Sequence, residues 1–296
     1  MVDSGYTTPT GRLVVAGTPP IQTYHNVGVA TNMYPGRLVV REAGDYDVKV
    51  GDGILPPRGF LGYETASAVY RPASTSTIWT VDYEAPVLRG GGFTIYMPGG
   101  LALGTYATAG DLLASWGAGQ VVPCALFDGK IGVKIPFTKS TSQADTSVDI
   151  PTGAIIRDAI VQVVTNAASS TIDIGLGAGT ESGFDADGLL DGESCANTGL
   201  VLHNTVDGTA ANNTLGALLV ESDIKSADGT ALYYSVPNGL VCDGTCVSVD
   251  YTTSNHTVAG YFYVVLESPG VQVVGRAGNT VDATSAAGNI FVESVL

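Results

Sequence analysis

Residues 148–177 read VDIPTGAIIRDAIVQVVTNAASSTIDIGLG, and this stretch decides the fold class. From Ile156 onward it is rich in β-branched residues and apolar on both prospective faces, which suits a strand buried between layers. The Asn166-Ala-Ala-Ser169 break then turns the chain, and Ser170–Gly177 answers as a second strand. A long hairpin of this kind can seed a β-sandwich. The same grammar recurs along the chain. Short runs rich in Val, Ile, Tyr and Thr stand between Gly, Pro, Asn and Asp turns, as in Arg37–Arg41, Tyr46–Val50, Thr77–Tyr83, Phe93–Met97, Lys130–Ile135, Cys246–Tyr251 and Val258–Leu266. Such punctuation every ~8–15 residues fits sandwiches and barrels. Helical periodicity is weak: only Asp111–Trp116 and Asn212–Ser222 suit a short helix, and Gly216 disfavours the second. The expectation is an all-β protein.

Two signals divide it. Residues 138–147 form a polar run without a large apolar side chain, and the charge balance changes at the same place. Residues 1–144 carry ten basic and ten acidic side chains, whereas residues 145–296 carry three basic and eighteen acidic, net −15. This predicts a neutral, hairpin-rich, barrel-like β domain over 1–140 and an acidic β-sandwich over 145–296. Within the first, Val50-Gly-Asp-Gly-Ile54 and Leu126-Phe-Asp-Gly-Lys130 are turn signals. The pentapeptide GRLVV occurs twice, at 11–15 and 36–40. Each copy follows a Pro-containing turn cue and can open a strand.

Charged residues make up only 14% of the chain, against ~25% in ordinary domains, and Gly is correspondingly frequent at 39 of 296 residues. A surface so poor in charge suits a protein covered by neighbours better than a free enzyme. A −15 half repels phosphates, so nucleic acid is not an expected partner. No apolar stretch approaches the ~20 residues that span a bilayer, so no membrane is expected either. The opening MVDSGYTTPTG lacks a basic start followed by an apolar run, so no signal peptide is expected.

Catalytic grammar is sparse. His25, His203 and His256 are far apart in polar contexts, without metal-ligand spacing. Of the four cysteines, Cys124, Cys195, Cys242 and Cys246, only Cys242 and Cys246 lie close in sequence. Two free thiols are the first reading of that pair, a disulfide across a tight turn the second, and a metal the third, because no second ligand pair accompanies it. Asp185, Asp187, Asp191 and Glu193 form the densest acidic group and the one calcium candidate, against the plainer reading of a solvated turn. No nucleophile elbow, phosphate loop or zinc-protease motif occurs. No catalytic residue and no cofactor is expected.

In Asn32-Met-Tyr-Pro-Gly-Arg-Leu-Val-Val40, Asp45-Tyr-Asp-Val-Lys-Val50 and Gly59-Phe-Leu-Gly-Tyr-Glu64 the chain resembles virion proteins of tailed phages and related viruses. Ile150-Pro-Thr-Gly-Ala-Ile-Ile-Arg-Asp-Ala159 and Thr171-Ile-Asp-Ile-Gly-Leu176 are similar to a β module of such particle proteins. The nearest class is the capsid decoration, or cement, proteins. The resemblance implies a non-enzymatic protein, made in the host cytoplasm and carried on the capsid surface. It would bind the outside of the assembled shell through the major capsid protein and stabilise it, as a symmetric homo-oligomer with a trimer preferred. The neutral half is the expected docking half. The alternatives are a tail-fibre or receptor-binding virion protein, and a secreted carbohydrate-binding module or glycan-active enzyme.

Overall fold

The computed structural model describes residues 12–26, 33–42, 44, 46–64, 66–69, 71–80, 83–177, 187–201, 214–215, 233–236, 239–242, 247–254 and 256–296. Among these residues the only helical element is a single 3-10 turn at Gly117–Gly119, and the protein is all-β. In chain order the strands begin with β1 (Val14–Ala16), β2 (Ile21–Asn26), β3 (Leu38–Arg41), β4 (Asp47–Val50), β5 (Pro57–Leu61), β6 (Glu84–Leu88), β7 (Thr94–Leu101) and β8 (Tyr106–Ala107). They continue with β9 (Leu112–Ser115), β10 (Val121–Phe127), β11 (Lys130–Thr138), β12 (Ala144–Ile150), β13 (Ile155–Thr165), β14 (Thr171–Leu176), β15 (Leu190–Ser194) and β16 (Gly199–Val201). The last are β17 (Thr214–Leu215), β18 (Tyr233–Val236), β19 (Gly239–Cys242), β20 (Val247–Thr253), β21 (Ala259–Glu267), β22 (Val273–Ala277), β23 (Val281–Asp282) and β24 (Gly288–Ser294). The chain forms two compact units, Met1–Cys124 with Ser268–Leu296, and Ala125–Glu267.

The first unit holds a closed barrel of β2-β4-β3-β5-β6. Beside it, β7, β24, β22, β9 and β10 pair in succession, and β10 returns to β7 in parallel at Val121 and Leu101. Period-two alternation gives the barrel strands two buried faces. Val39, Leu61 and Val87 point into the barrel, where they meet Trp79, Met33 and Tyr24. Their neighbours Leu38, Phe60 and Leu88 point the other way, into a second core with Phe93, Ile95 and Met97. The strand residues of the second GRLVV copy are therefore all apolar and buried, Leu38 entering one core and Val39 the other. The first copy has another fate. Its Leu13 enters the second core, but β1 is a three-residue edge strand on β7 with an irregular register. The Glu64 carboxylate secures it, accepting the amides of Leu13 (3.1 Å) and Val14 (2.8 Å).

The second unit is a sandwich. One sheet is built on β11-β21-β13, extended by β16 and by β19-β18, and the other has the order β12-β20-β14-β15-β17. Phe137 of β11, Phe262 of β21 and Tyr251 of β20 join the two sheets through ring contacts at 5.9–6.5 Å. The 148–177 segment ends β12 and forms β13 and β14 at the places read from the sequence, but the two do not pair as a hairpin: β13 pairs with β21 in one sheet and β14 with β20 in the other, so the turn at 166–169 crosses between layers. The Asp-Gly turn before β11 has positive φ at both Asp128 (49°) and Gly129 (76°), the conformation a two-residue hairpin turn requires.

Three further features differ from the sequence reading. The chain does not divide at 138–147: that run lies within the second unit, and residues 268–296 return to the first, where β22 and β24 fill the sheet between β9 and β7. The polar side chains of the run are stitched to β20 instead of forming a linker. Ser140 exchanges hydrogen bonds with Thr253, and the Gln143 amide donates to the fully buried Asp250 carboxylate. Asp111–Trp116 is not helical, because Leu112–Ser115 pairs with β10 on one side and β22 on the other. Sheet partners override the weak local preference there. Residues 77–80 are not a strand; Trp79 is fully buried in the barrel core, its amide bonded to the Met33 carbonyl at 2.9 Å. Of Asn212–Ser222, only Thr214–Leu215 is described, and it is strand.

Replacing Glu64 by Ala removes both acceptors that secure β1. Hydrogen bonds to a charged partner contribute ~1.5–3 kcal/mol, so melting temperature should fall and amide exchange at Leu13 and Val14 should accelerate ahead of the barrel strands. Unchanged exchange at those two amides would show that β7 pairing alone holds the strand.

Candidate docking face

Among the described residues, those singled out from the sequence do not assemble a reactive centre. His25 lies 3.4 Å from Asp47, a pairing set by the parallel register of β2 with β4, and both side chains are part-exposed. His256 is exposed, while His203, Asp185 and Cys246 lie outside the described residues. Cys242 is buried, its Sγ 3.8 Å from the Ile150 carbonyl oxygen. Cys124 and Cys195 are free and buried, and burial, helped by nearby Asp111 and Glu193 respectively, pushes each thiol up to about 12. Neither carries thiolate at neutral pH.

The calcium candidates separate for a reason invisible in the spacing. Strand β15 has one extra residue between its pairings, Ile172 with Glu193 and Ile174 with Leu190, and Gly192 takes φ +69° there. This bulge places Leu190 and Glu193 on the buried side and leaves Asp191 exposed. Asp187 is exposed as well. The half-buried Asp173 accepts the Gly192 amide at 2.7 Å. Its pKa is raised chiefly by burial, with smaller contributions from Asp191 and Asp187. Among the described residues no three His, Cys, Asp or Glu side chains converge as a metal site.

A different feature presents itself on the first unit, between β4 and β5. The turn predicted at Val50–Ile54 forms, and Asp52 organises it: one carboxylate oxygen accepts the amides of Ile54 (2.9 Å) and Leu55 (3.1 Å). The other meets the Lys49 ammonium at 3.2 Å, and Lys49 also reaches Glu42 at 3.1 Å. Burial pushes the Asp52 carboxyl up, but the two amides and Lys49 outweigh it and hold its pKa below the ordinary value. The turn is thus firmest above the usual carboxylate pKa and weakens as acid protonates Asp52. The Ser268 hydroxyl bonds the Gly53 carbonyl at 3.2 Å, and Gly270 packs so close to that carbonyl that no Cβ would fit. The result is a braced loop whose tip, Ile54-Leu55-Pro56, is exposed: 43% for Ile54 and 39% for Leu55.

Immediately after the tip, Pro57 and Arg58 enter an open groove of about 620 Å³ at the barrel end, walled also by Pro20, Ile21, Arg89 and Leu296. Arg89 is oriented by Gln22 Oε1 (2.8 Å) and by the Tyr24 hydroxyl (3.4 Å), which itself donates to Gln22. Gly59, at φ +152°, allows β5 to approach the Leu88 carbonyl and the Arg89 side chain where a Cβ would collide. The loop turn was legible in the sequence. The groove was not, because residues from β2, β5, β6 and the C-terminal segment meet there only through barrel closure. No protein-family model and no curated protein matches this chain.

Glu193 supplies a pH test. Burial raises its carboxyl to about 7, partly offset by the Ser194 amide. The folded state therefore keeps a proton that the unfolded chain has lost, so stability should decline as pH rises from about 4.5 to about 7. Glu193→Gln should flatten that decline and stabilise the protein at pH 8 by about 1–3 kcal/mol in urea titrations. A slope unchanged by the substitution would remove Glu193 as its source.

Proposed function

We propose that this chain is a virion structural protein of the capsid-decoration, or cement, type, which attaches to the outer surface of an assembled shell through its first unit. The observation that carries this reading is the braced apolar loop. Exposed Ile54, Leu55 and Pro56 are held in place before any partner arrives, so little ordering entropy opposes their burial. Apolar anchors of this kind supply most of the free energy of an interface, at up to ~1.5–3 kcal/mol for a fully buried Ile or Leu. Charge supports the same orientation. By composition the first unit carries eight basic and eleven acidic residues, net −3, and the second five and seventeen, net −12. The nearly neutral unit suits burial against the shell, and the anionic one suits solvent and keeps coated particles apart. Binding to assembled shells in preference to free subunits stabilises the particle by mass action, and self-association, with a trimer preferred, multiplies weak contacts.

The test uses virions lacking the chain, to which purified protein is added back. Cryo-electron microscopy should show density across the lattice, and the coated particles should disrupt at higher temperature. An Ile54→Asp/Leu55→Asp variant should lose attachment at least tenfold while its own melting temperature stays near that of the parent. Density confined to the tail would replace the proposal with a fibre or receptor-binding role. Hydrolysis of a glycan panel by the purified chain would overturn both.

A further inference from the structure

We infer that the groove beside the loop receives a carboxylate, carried on an extended apolar segment of the shell protein, and grips it with Arg58 and Arg89. The identity of the partner rests on the attachment reading above; the chemistry of the groove does not. The first argument is charge. In a chain with 28 acidic residues, neither groove arginine has an acidic partner among the described residues. Among the described residues the Arg89 side chain bonds neutral oxygens, those of Gln22 and Tyr24, and the Arg58 side chain makes no hydrogen bond or ion pair. Two guanidinium groups thus line one groove that no Asp or Glu side chain lines, a local concentration of positive charge on an otherwise anionic protein.

The second argument is orientation. Gln22 and Tyr24 hold one edge of the Arg89 guanidinium and leave its other donors available. A planar guanidinium matches a carboxylate bidentately, and one fixed in advance loses less freedom on binding. The third concerns the walls. Pro20, Ile21 and Pro57 are apolar, and two of them are rigid. They suit the side chains flanking an Asp or Glu in an extended peptide, and the apolar tip at Ile54–Pro56 continues the surface directly from Pro57. A polyphosphate would find the arginines but would gain nothing from these walls, and the chain's overall charge of −15 repels it.

The experiment has two arms. In the first, the isotopically labelled full chain is titrated with the blocked peptide acetyl-Leu-Glu-Leu-amide and followed by NMR. Saturable shifts are expected at the Arg58 and Arg89 side-chain signals and at the Ile21 and Gln22 amides. They should be at least fivefold weaker with the Leu-Gln-Leu analogue, reduced by 0.5 M salt, and lost in Arg58→Gln/Arg89→Gln. Equal binding of the two peptides, or no saturable shift, overturns the inference. So does tighter binding of inorganic phosphate or of an oligonucleotide than of the Glu peptide. In the second arm, Arg58→Gln is added to chain-deficient virions. Arg58 is half-buried and makes no polar contact, so the variant should fold normally yet attach at least tenfold more weakly. If the parent chain fails to attach while the Glu peptide binds, the attachment reading falls and the carboxylate groove stands. If the parent attaches, Arg58→Gln attaches equally well and the peptide does not bind, the groove falls and attachment stands.

Discussion

The first unit depends on strands β3, β5 and β6 being buried on both faces. Each sends alternate residues into different cores: Val39, Leu61 and Val87 into the barrel, and Leu38, Phe60 and Leu88 into the packing against the neighbouring strands. Neither face can become polar without opening one core, and a slip of one residue in register would exchange the two sets. The barrel is therefore rigid where β5 and β6 approach each other, and the groove and loop arise at that end. The loop with its three exposed apolar residues leads directly into β5 and is braced by Asp52 and Ser268.

In the second unit the sandwich is held by aromatic contacts between sheets, and its polar residues are turned to structural use. Gln143 donates to the buried Asp250 carboxylate inside it, and Ser140 and Thr253 join the connection between β11 and β12 to β20. The bulge at Gly192 turns a nominal acidic cluster into one buried carboxyl and one exposed carboxylate. Most of the chain's negative charge nevertheless lies in this unit, so the molecule has one nearly neutral body and one strongly anionic body. The cost of desolvating charge makes the first the less costly of the two to bury against a partner, which is the basis of the proposed attachment.

Asp52 and Arg89 use their polar groups in two ways. Asp52 spends its hydrogen-bonding capacity on the loop's own backbone and on Lys49, which restrains the tip. Arg89 bonds Gln22 and Tyr24 through one of its nitrogens, and the proposed carboxylate would meet its remaining donors. The apolar tip and the arginine groove adjoin at Pro57.

The all-β class, the two strands on either side of Asn166–Ser169, the Asp-Gly turn before β11 and the turn at Val50–Ile54 were determined by sequence alone, because alternation and turn chemistry act over a few residues; that β13 and β14 enter different sheets instead of pairing as a hairpin was decided by their partners. Domain assignment failed because it relied on the polarity of 138–147, and a polar run reads the same whether its side chains face water or are satisfied by a neighbouring strand. The two GRLVV copies make the point most directly: identical residues became an edge strand secured by Glu64 in one place and a doubly buried barrel strand in the other. Only tertiary structure decided which, and only barrel closure assembled the groove, since both outcomes depend on partners 17 to 67 residues away along the chain.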